Sequence, residues 1–292
     1  MTIQQFQYIL EVYRAGSVSQ AAKNLFVGQP SVSLSITNLE KELGYPIFTR
    51  NNNGVTPTKR GMEVIEHAAR ICESCRIISV PEQTSCTHIR IAAGKYSFMQ
   101  KAALRLLKEL SERRDVAFSF LDLDQRQQIQ MLSLFELDLG LCFVFSPRLR
   151  SMERQLQSKG LRWQVLTQFP AAIVLGSGHR LYDAPTVEFA MLEDDLLIDT
   201  AEKSMAISPF FNSIIRVSPD RVLAVGNQNM RTQMLEEGLG YSIKAVTPHE
   251  SEQFRRIPLE NICFSVLAIY NPIRPLRPEV QRYLDLLQEE LQ

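Results

Sequence analysis

The chain has 292 residues, with 32 basic and 32 acidic side chains, 45% hydrophobic residues and five cysteines. This composition is typical of a globular protein large enough for two or three domains, and its apolar runs are too short to cross a bilayer. The first residues lack the basic and apolar regions of a signal peptide, and an odd number of cysteines gives no disulfide framework. We therefore expect a cytoplasmic protein with no membrane partner.

The charge is unevenly distributed along the chain. Residues 1–60, called the head below, contain six Lys and Arg against three Asp and Glu, which leaves the remainder mildly acidic. A mildly basic head on a mildly acidic body indicates two functions, although the excess of charge is small.

Residues 1–57 are predicted to form three helices and a β-hairpin. A first helical pattern ends at Gly16, and Ser17 suits the cap of a second short helix. Pro30 suits the first turn of a third helix, and the turn residues 51–54 between two short strands predict the hairpin. The third helix has four inward-facing apolar residues: Val32, Ile36, Leu39 and Leu43. Its other face is polar and nearly uncharged, which indicates either inert surface or contact with a hydrogen-bonding partner.

A long fourth helix is predicted to follow Thr58, which can cap it. Four of its residues form a narrow stripe with coiled-coil spacing: Met62, Ile65, Ala69 and Cys72. We expect this stripe to pair with a second copy of the chain; the alternative is a helix that packs on its own domain. Residues 79–87 lack periodicity and predict a hinge.

From residue 88 the pattern alternates between strands and helices, which predicts mostly parallel sheets with helices on both faces. The segment is long enough for two lobes, so the predicted fold class is α/β overall, with an all-α N-terminal domain and a long linker helix before a two-lobe α/β body. The predicted units are residues 1–60, a helix and hinge at 58–87, and the body at 88–292, with a first lobe near 88–162 and 265–292 and a second near 163–264.

Four motifs of the head occur in register: "SVSQAA", "GQPSVS", "NLEKELGYPIFTR" and "VTPTKRG". Together with the long helix and the two-lobe body, they closely resemble the LysR-type transcriptional regulators. The positions that match the family pattern are Ser17, Ser19, Ala21, Ala22, Gln29, Pro30, Ser33, Leu39, Glu40, Leu43, Gly44, Phe48, Arg50, Thr58 and Gly61. The body resembles the family's effector domain more loosely, with Gly176 and Arg180 where Pro is usual. The resemblance implies a winged helix-turn-helix, a periplasmic-binding-protein-like effector domain, and a homodimer or homotetramer.

In a helix-turn-helix the second helix of the pair enters the major groove with its N-terminal end. Gln29 can bond adenine, and Ser31 or Ser33 a base edge or phosphate; the alternative is that these serines are only caps and surface. Leu34 departs from the family, which commonly has Arg or another polar residue there, and a leucine can contact a thymine methyl but cannot bond guanine. The predicted DNA-binding residues are Lys23, Gln29, Pro30, Ser31, Ser33, Leu34, Asn38, Arg50, Lys59 and Arg60.

The resemblance also implies a small effector between the lobes, near strand ends and helix N-termini. Such helix starts favour an anion, and Lys95 could supply a charge. The predicted effector-binding residues are Lys95, Tyr96, Ser97, Phe98, Thr200, Ala201, Asn227 and Gln228. The alternatives are that Lys95 and Tyr96 are surface loop residues and that Asn227 caps a helix.

Other classes of function are weaker interpretations of the sequence. A two-lobe α/β enzyme or a solute-binding protein with a helical N-terminal appendage is the alternative, but no nucleophile elbow, phosphate loop or histidine cluster is present. We therefore expect no catalysis and no cofactor or metal, with double-stranded DNA as the main partner and RNA polymerase as a further candidate partner. Cys72 and Cys75 form a Cys-x-x-Cys pair within a predicted helix, which only weakly indicates a thiol sensor.

Overall fold

The structure, a computed structural model, describes residues 1–51, 54–79, 87–93, 96–200, 219–247 and 253–291. Helices and strands are numbered over these residues alone. The side chains of Arg50, Asn51, Thr200, Pro219 and Gln228 lie outside the description, and so do residues 80–86 of the predicted hinge.

The head contains three helices and an antiparallel hairpin: α1 (Ile3–Ala15), α2 (Val18–Asn24), α3 (Gln29–Leu43), β1 (Phe48–Asn51) and β2 (Gly54–Pro57). Helix α1 ends at Gly16, and the Gln20 amide donates to the Ser17 hydroxyl at 3.3 Å, so the predicted cap of α2 is confirmed. Val32, Ile36 and Leu39 of α3 are buried in the core of the head, as the helical spacing predicts.

Helix α4 (Lys59–Ser79) follows the hairpin, and the Gly61 amide donates to the Thr58 hydroxyl at 2.8 Å, which confirms the predicted cap. The predicted stripe on α4 is covered within the same chain: Ile65 and Ala69 are buried in the core of the head, with Met62 and Cys72 packed against it. These residues are therefore unavailable to a second copy, and the prediction that this stripe pairs between chains is wrong. The apolar faces of the head need it for their own burial.

The described residues of the body form a sheet of eight strands in the order β4-β3-β5-β10-β6-β9-β7-β8. Their bounds are β3 Thr87–Ala92, β4 Val116–Leu121, β5 Leu139–Phe145, β6 Arg162–Gly176, β7 Leu196–Thr200, β8 Val222–Val225, β9 Gly240–Ala245 and β10 Phe254–Tyr270. The helices of the body are α5 (Ser97–Glu109), α6 (Gln125–Ser133), α7 (Leu149–Ser158), α8 (Gln228–Glu236) and α9 (Pro278–Glu290). The parallel pairs β3–β4, β3–β5, β7–β8 and β7–β9 confirm the α/β class predicted from the alternation of strands and helices.

Strands β6 and β10 are long and antiparallel, and they join two groups of parallel strands. Over residues 162–170, β6 pairs with the part of β10 that lies beside β5. Over residues 172–176 it stays paired with β10, through residues 254–258, and over residues 171–175 it pairs with β9 on its other edge. The predicted start of the second lobe, near residue 163, falls at the beginning of β6, and the pairing with β9 begins at Ala171. Below, the strands on the β5 side are called lobe I and those on the β9 side lobe II.

The head packs directly on lobe I. Leu134 and Phe135, which follow α6, are buried in the core of the head. Phe135 has φ +58°, so α6 ends at Ser133 and the chain turns towards α4. Polar contacts surround this apolar one: Arg14 pairs with Glu136 at 2.9 Å, and Lys159 with Glu66 at 2.6 Å.

Arg274, in the loop between β10 and α9, is the centre of a cluster of ion pairs between the body and α4. Its guanidinium donates to Glu73 of α4 at 2.8 Å, to Asp138 at 3.0 Å and to the Phe135 carbonyl at 3.0 Å. Arg76 also pairs with Glu73, at 2.7 Å. Glu73 and Asp138 side chains are each 7% exposed, whereas Arg76 is 47% exposed. We call Arg274, Glu73 and Asp138 the head–body cluster.

The structure contains elements that the sequence did not predict. Helix α7 is one of these. Among the described residues, no helix combines the length and the apolar character needed to cross a membrane.

Candidate DNA interface and ligand lobes

Helix α3 presents its predicted reading face to solvent. Gln29, Pro30, Ser31 and Asn38 are exposed, and Leu34 is 62% exposed, whereas Ser33 is half-buried. The face thus combines amide and hydroxyl groups with one large apolar side chain, all on a helix whose opposite side is fixed in the core. Such a surface can place donors, acceptors and a methyl-contacting group against base edges.

Cationic groups lie on both sides of α3. Lys23, in the last turn of α2, and Lys59, at the start of α4, are exposed. The Arg60 guanidinium lies over the Tyr45 ring, 3.7 Å from its centroid, which holds this charge beside the hairpin. The backbone of Arg50 pairs with Val55 in the hairpin, so the residue lies on the wing.

Two features of the head were not predicted from the sequence. The Glu40 carboxylate accepts from the Ile47 and Phe48 amides at 2.7 and 3.1 Å, so α3 and the first wing strand are held at a fixed distance. In the sequence this charge is indistinguishable from solvated helix surface. Phe26, in the turn before α3, is 96% exposed and has φ +55°.

The predicted effector residues at the start of α5 divide into half-buried and core positions. Tyr96 stacks on Phe143 with 3.7 Å between ring centroids, and Ser97 begins the helix. Phe98 is fully buried between Phe143 and Phe169, because an apolar position on this face of α5 fills the core of lobe I. Its side chain therefore cannot line an open cleft. Lys95 lies outside the described residues.

The predicted effector residues of lobe II lie at the carboxyl ends of β7 and β8. Asn227 caps α8, since its side-chain oxygen accepts from the Asn229 and Met230 amides at 2.9 and 3.2 Å, which is the alternative interpretation of this residue. Thr200 ends β7 and Gln228 begins α8, but their side chains, and all of Ala201, lie outside the described residues. Carboxyl ends of parallel strands are where open α/β sheets bind ligands.

The Cys72 environment disfavours thiol chemistry. Burial raises the pKa of the Cys72 thiol, as does the neighbouring Cys75, while Arg14 acts in the opposite direction. A raised pKa lowers the fraction of the reactive thiolate. Among the described residues, no group of three or more His, Cys, Asp and Glu side chains could hold a metal ion.

The fold and its exposed surfaces define a class of protein: a winged helix-turn-helix joined by a long helix to a two-lobe α/β binding domain. Residues 3–62 match the family described as bacterial regulatory helix-turn-helix protein, lysR family, and residues 82–292 match the LysR substrate binding domain. The chain belongs to the LysR family of transcriptional regulators and is a DNA-binding transcriptional regulator with a substrate-binding domain.

Curated relatives are regulators as well. The chain is 27% identical to the regulatory protein NocR of Agrobacterium fabrum over 73% of this chain and 68% of that protein. It is 25% identical to the RuBisCO operon transcriptional regulator of Allochromatium vinosum over 86% of this chain and 82% of that protein. Among solved structures, full-length OxyR C199D from Pseudomonas aeruginosa shares the fold with a TM-score of 0.66 and 17% identity, covering 100% of this chain and 97% of that one.

Proposed function

We propose that the exposed face of α3 reads DNA in the major groove, with Gln29 and the serines bonding base edges and Leu34 contacting thymine methyl groups. The exposure of Leu34 beside these polar groups carries the proposal, since a large apolar side chain on this face is explained by an apolar partner. Lys23, Arg50, Lys59 and Arg60 then contact phosphates, which positions the head and makes binding salt-dependent.

Replacing Leu34 by Arg should change operator preference. Arginine can bond guanine in a bidentate manner. We therefore expect the variant to prefer guanine at one position of each half-site, with a gain in binding free energy of about 1–3 kcal/mol, or roughly tenfold or more in affinity. The measurement is selection from a randomised operator, followed by gel-shift titration at several salt concentrations. Leu34→Met, which keeps an apolar side chain of similar volume, is the matched control and should retain the original preference. An unchanged preference in Leu34→Arg contradicts this account of the reading face.

We propose that α4 pairs with a second copy through the face opposite to the buried stripe. Ile71 and Ile78, seven residues apart, are 41% and 85% exposed, and an apolar pair with this spacing fits a helix–helix seam. Two heads joined in this way read two half-sites and combine their affinities. The same family context supports a homodimer that assembles further into a homotetramer.

Replacing both Ile71 and Ile78 by Glu should lower the mass of the oligomer by at least half, because like charges would then face each other across the seam. Light scattering after gel filtration measures the mass, and gel-shift titration should show at least about tenfold weaker operator binding, since the second head no longer adds its affinity. Ile77→Glu is the control, because Ile77 is 42% exposed on the same helix but lies off this face. A doubly substituted chain with the same mass as the wild type would overturn the proposed seam.

We propose that the body binds a small anionic effector between the lobes, at the strand ends near Tyr96, Ser97 and Asn227. Effector binding changes how the heads are presented to DNA and thereby the population of transcription-competent assemblies. RNA polymerase is then the partner that responds to these assemblies, and the cytoplasm is where the protein acts. The relatives are regulators rather than enzymes, which supports a role without catalysis.

A further inference from the structure

Helix α8 covers one face of lobe II, and the strand register identifies which side chains lie beneath it. A Cβ atom at Gly176 of β6 would overlap the carbonyl oxygen of Leu235 in α8, so this face of β6 is the covered one. Val174 lies two residues earlier on the same face, and it pairs directly with Ser242 of β9. Ser242 and, two residues further on, Lys244 therefore point towards α8 as well.

Arg231 of α8 reaches the same region. Helix α8 ends at Glu236 and the chain returns at Gly240 into β9, so the helix runs antiparallel to that strand. Arg231 lies one turn before Leu235, about 6 Å closer to the carboxyl end of β9, which is the level of Ser242. Helical side chains lean towards the helix N-terminus, so the guanidinium extends towards the level of Lys244.

Two of these polar groups are buried without partners. Arg231 is 9% exposed and its Nε has no hydrogen-bond partner; the Ser242 hydroxyl is 0% exposed and also has none. No carboxylate of the described residues pairs with Arg231. Burying a guanidinium whose Nε is unpaired and an unpaired hydroxyl is costly, and native structures normally satisfy such groups. No described residue supplies an acceptor to these two donors, and a negatively charged acceptor from outside the chain would satisfy both.

The surroundings favour an anion at this position. The Lys244 ammonium lies over the Phe254 ring, 5.4 Å from its centroid, which places a second positive charge on the same face of the sheet. The site is within the first turns of α8, where the helix dipole attracts negative charge. It also lies at the carboxyl end of the parallel strands β7 and β8, where open α/β sheets bind ligands.

We propose that Arg231, Ser242 and Lys244 bind a small oxyanion, the carboxylate or phosphate group of the effector, beneath the N-terminal half of α8. The Arg231 guanidinium donates two parallel hydrogen bonds to the oxyanion, the Ser242 hydroxyl donates a third, and Lys244 contributes charge. The inference rests on the proposed binding of an anionic effector and identifies the residues that anchor its charged group.

The test is thermal unfolding of the full-length chain with sodium phosphate, sulfate, acetate or succinate, against sodium chloride at equal ionic strength. In the wild type, at least one oxyanion should raise the Tm in a saturable manner, and the phosphate and carboxylate arms distinguish the two sources. Arg231→Met should abolish this rise. Without any oxyanion, the same variant should be more stable than the wild type by about 2–4 °C, because the unpaired buried charge is gone.

Two further variants separate a ligand site from a structural role. Ser242→Ala should fold normally and weaken the oxyanion response, whereas Arg221→Met, which removes an exposed arginine of the same lobe, should leave it unchanged. The proposal is overturned if Arg231→Met has a lower Tm than the wild type without ligand. It is also overturned if none of the four anions raises the Tm of the wild type. A small molecule that raises the Tm of wild type and Arg231→Met equally would also overturn it, while leaving effector binding itself intact.

Discussion

Replacing Arg274 by Met will lower the free energy of unfolding by about 3–5 kcal/mol and detach the head from lobe I. The substitution leaves the carboxylates of Glu73 and Asp138 buried without their shared partner, and the loss of a buried partner is far more costly than the loss of a surface ion pair. Urea denaturation measures the stability. Limited proteolysis within residues 80–86, compared with wild type, measures whether α4 has separated from the body.

Arg76→Met is the matched control, because Arg76 bonds the same Glu73 carboxylate but is half-exposed. This substitution should lower the free energy of unfolding by no more than about 1 kcal/mol, because exposed ion pairs contribute little to stability. Combining Glu73→Gln with Arg274→Met should lower the free energy of unfolding by less than the sum of the two single changes, because the double variant no longer buries a Glu73 carboxylate that has lost its Arg274 partner. Additive effects, or an Arg274→Met chain as stable as the wild type, would contradict the role of the cluster.

The same cluster predicts acid sensitivity. Burial alone would raise the pKa of Glu73, but hydrogen bonds from Arg76 and Arg274 and their charges lower it from 4.5 to about 2. Because the folded-state pKa is lower than the unfolded one, the stabilisation from Glu73 is complete above about pH 5 and is lost as the pH falls towards 2. Stability measured between pH 7 and pH 2.5 should therefore fall over this range in the wild type and change less in Glu73→Gln.

Gly61→Ala should unfold the winged domain or cost it about 3 kcal/mol or more. Gly61 lies in the first turn of α4, and a Cβ there would overlap the backbone carbonyl of Ile47, where α4 crosses the start of the wing. Since backbone cannot move aside as a flexible side chain does, the helix and the wing would have to separate. Circular dichroism melting of the full chain and gel-shift titration should show an early transition and lost DNA binding, with the body still folded.

Gly44→Ala is the control for this steric effect. Gly44 ends α3 with φ +78°, and a methyl group added to its Cα would have nothing within 4 Å, so alanine there meets only backbone strain of about 1–2 kcal/mol. If Gly61→Ala destabilises the winged domain no more than Gly44→Ala does, then the close approach of Gly61 to Ile47 does not restrict which residue position 61 can hold.

Local signals in the sequence predicted most of the head. Ser17 and Thr58 act as caps, and α3 buries the predicted face, because capping and helical periodicity depend on residues within one or two turns. The partner of the α4 stripe could not be predicted in the same way. Ile65 and Ala69 are buried in the core of the head, most of whose other residues lie on helices distant from α4 in the chain, so a stripe that looked intermolecular is covered within the same chain.

The candidate ligand residues show the same limit. Asn227 fits both a cap and a ligand residue by its place in the sequence, and the structure shows the cap. Phe98 follows the end of a strand, as a binding residue would, but its position on α5 directs its side chain into the core of lobe I. Arg231 and Ser242 gave no signal, because an arginine in a polar helix and a serine in a strand look ordinary until the fold removes water from both. Helix α7 was missed because only Met152 and Leu156 are buried along it.

The continuity of β6 and β10 limits how an effector can act. Both strands run from one lobe into the other, and they remain hydrogen-bonded to each other on either side of the crossing. Their register shifts at two places: between Pro258 and Cys263, where Asn261 has φ +58°, and between Val266 and Leu267. The two lobes therefore share a continuous β-ribbon rather than flexible linkers. An effector of the kind proposed above would have to bend or twist this ribbon to move one lobe relative to the other.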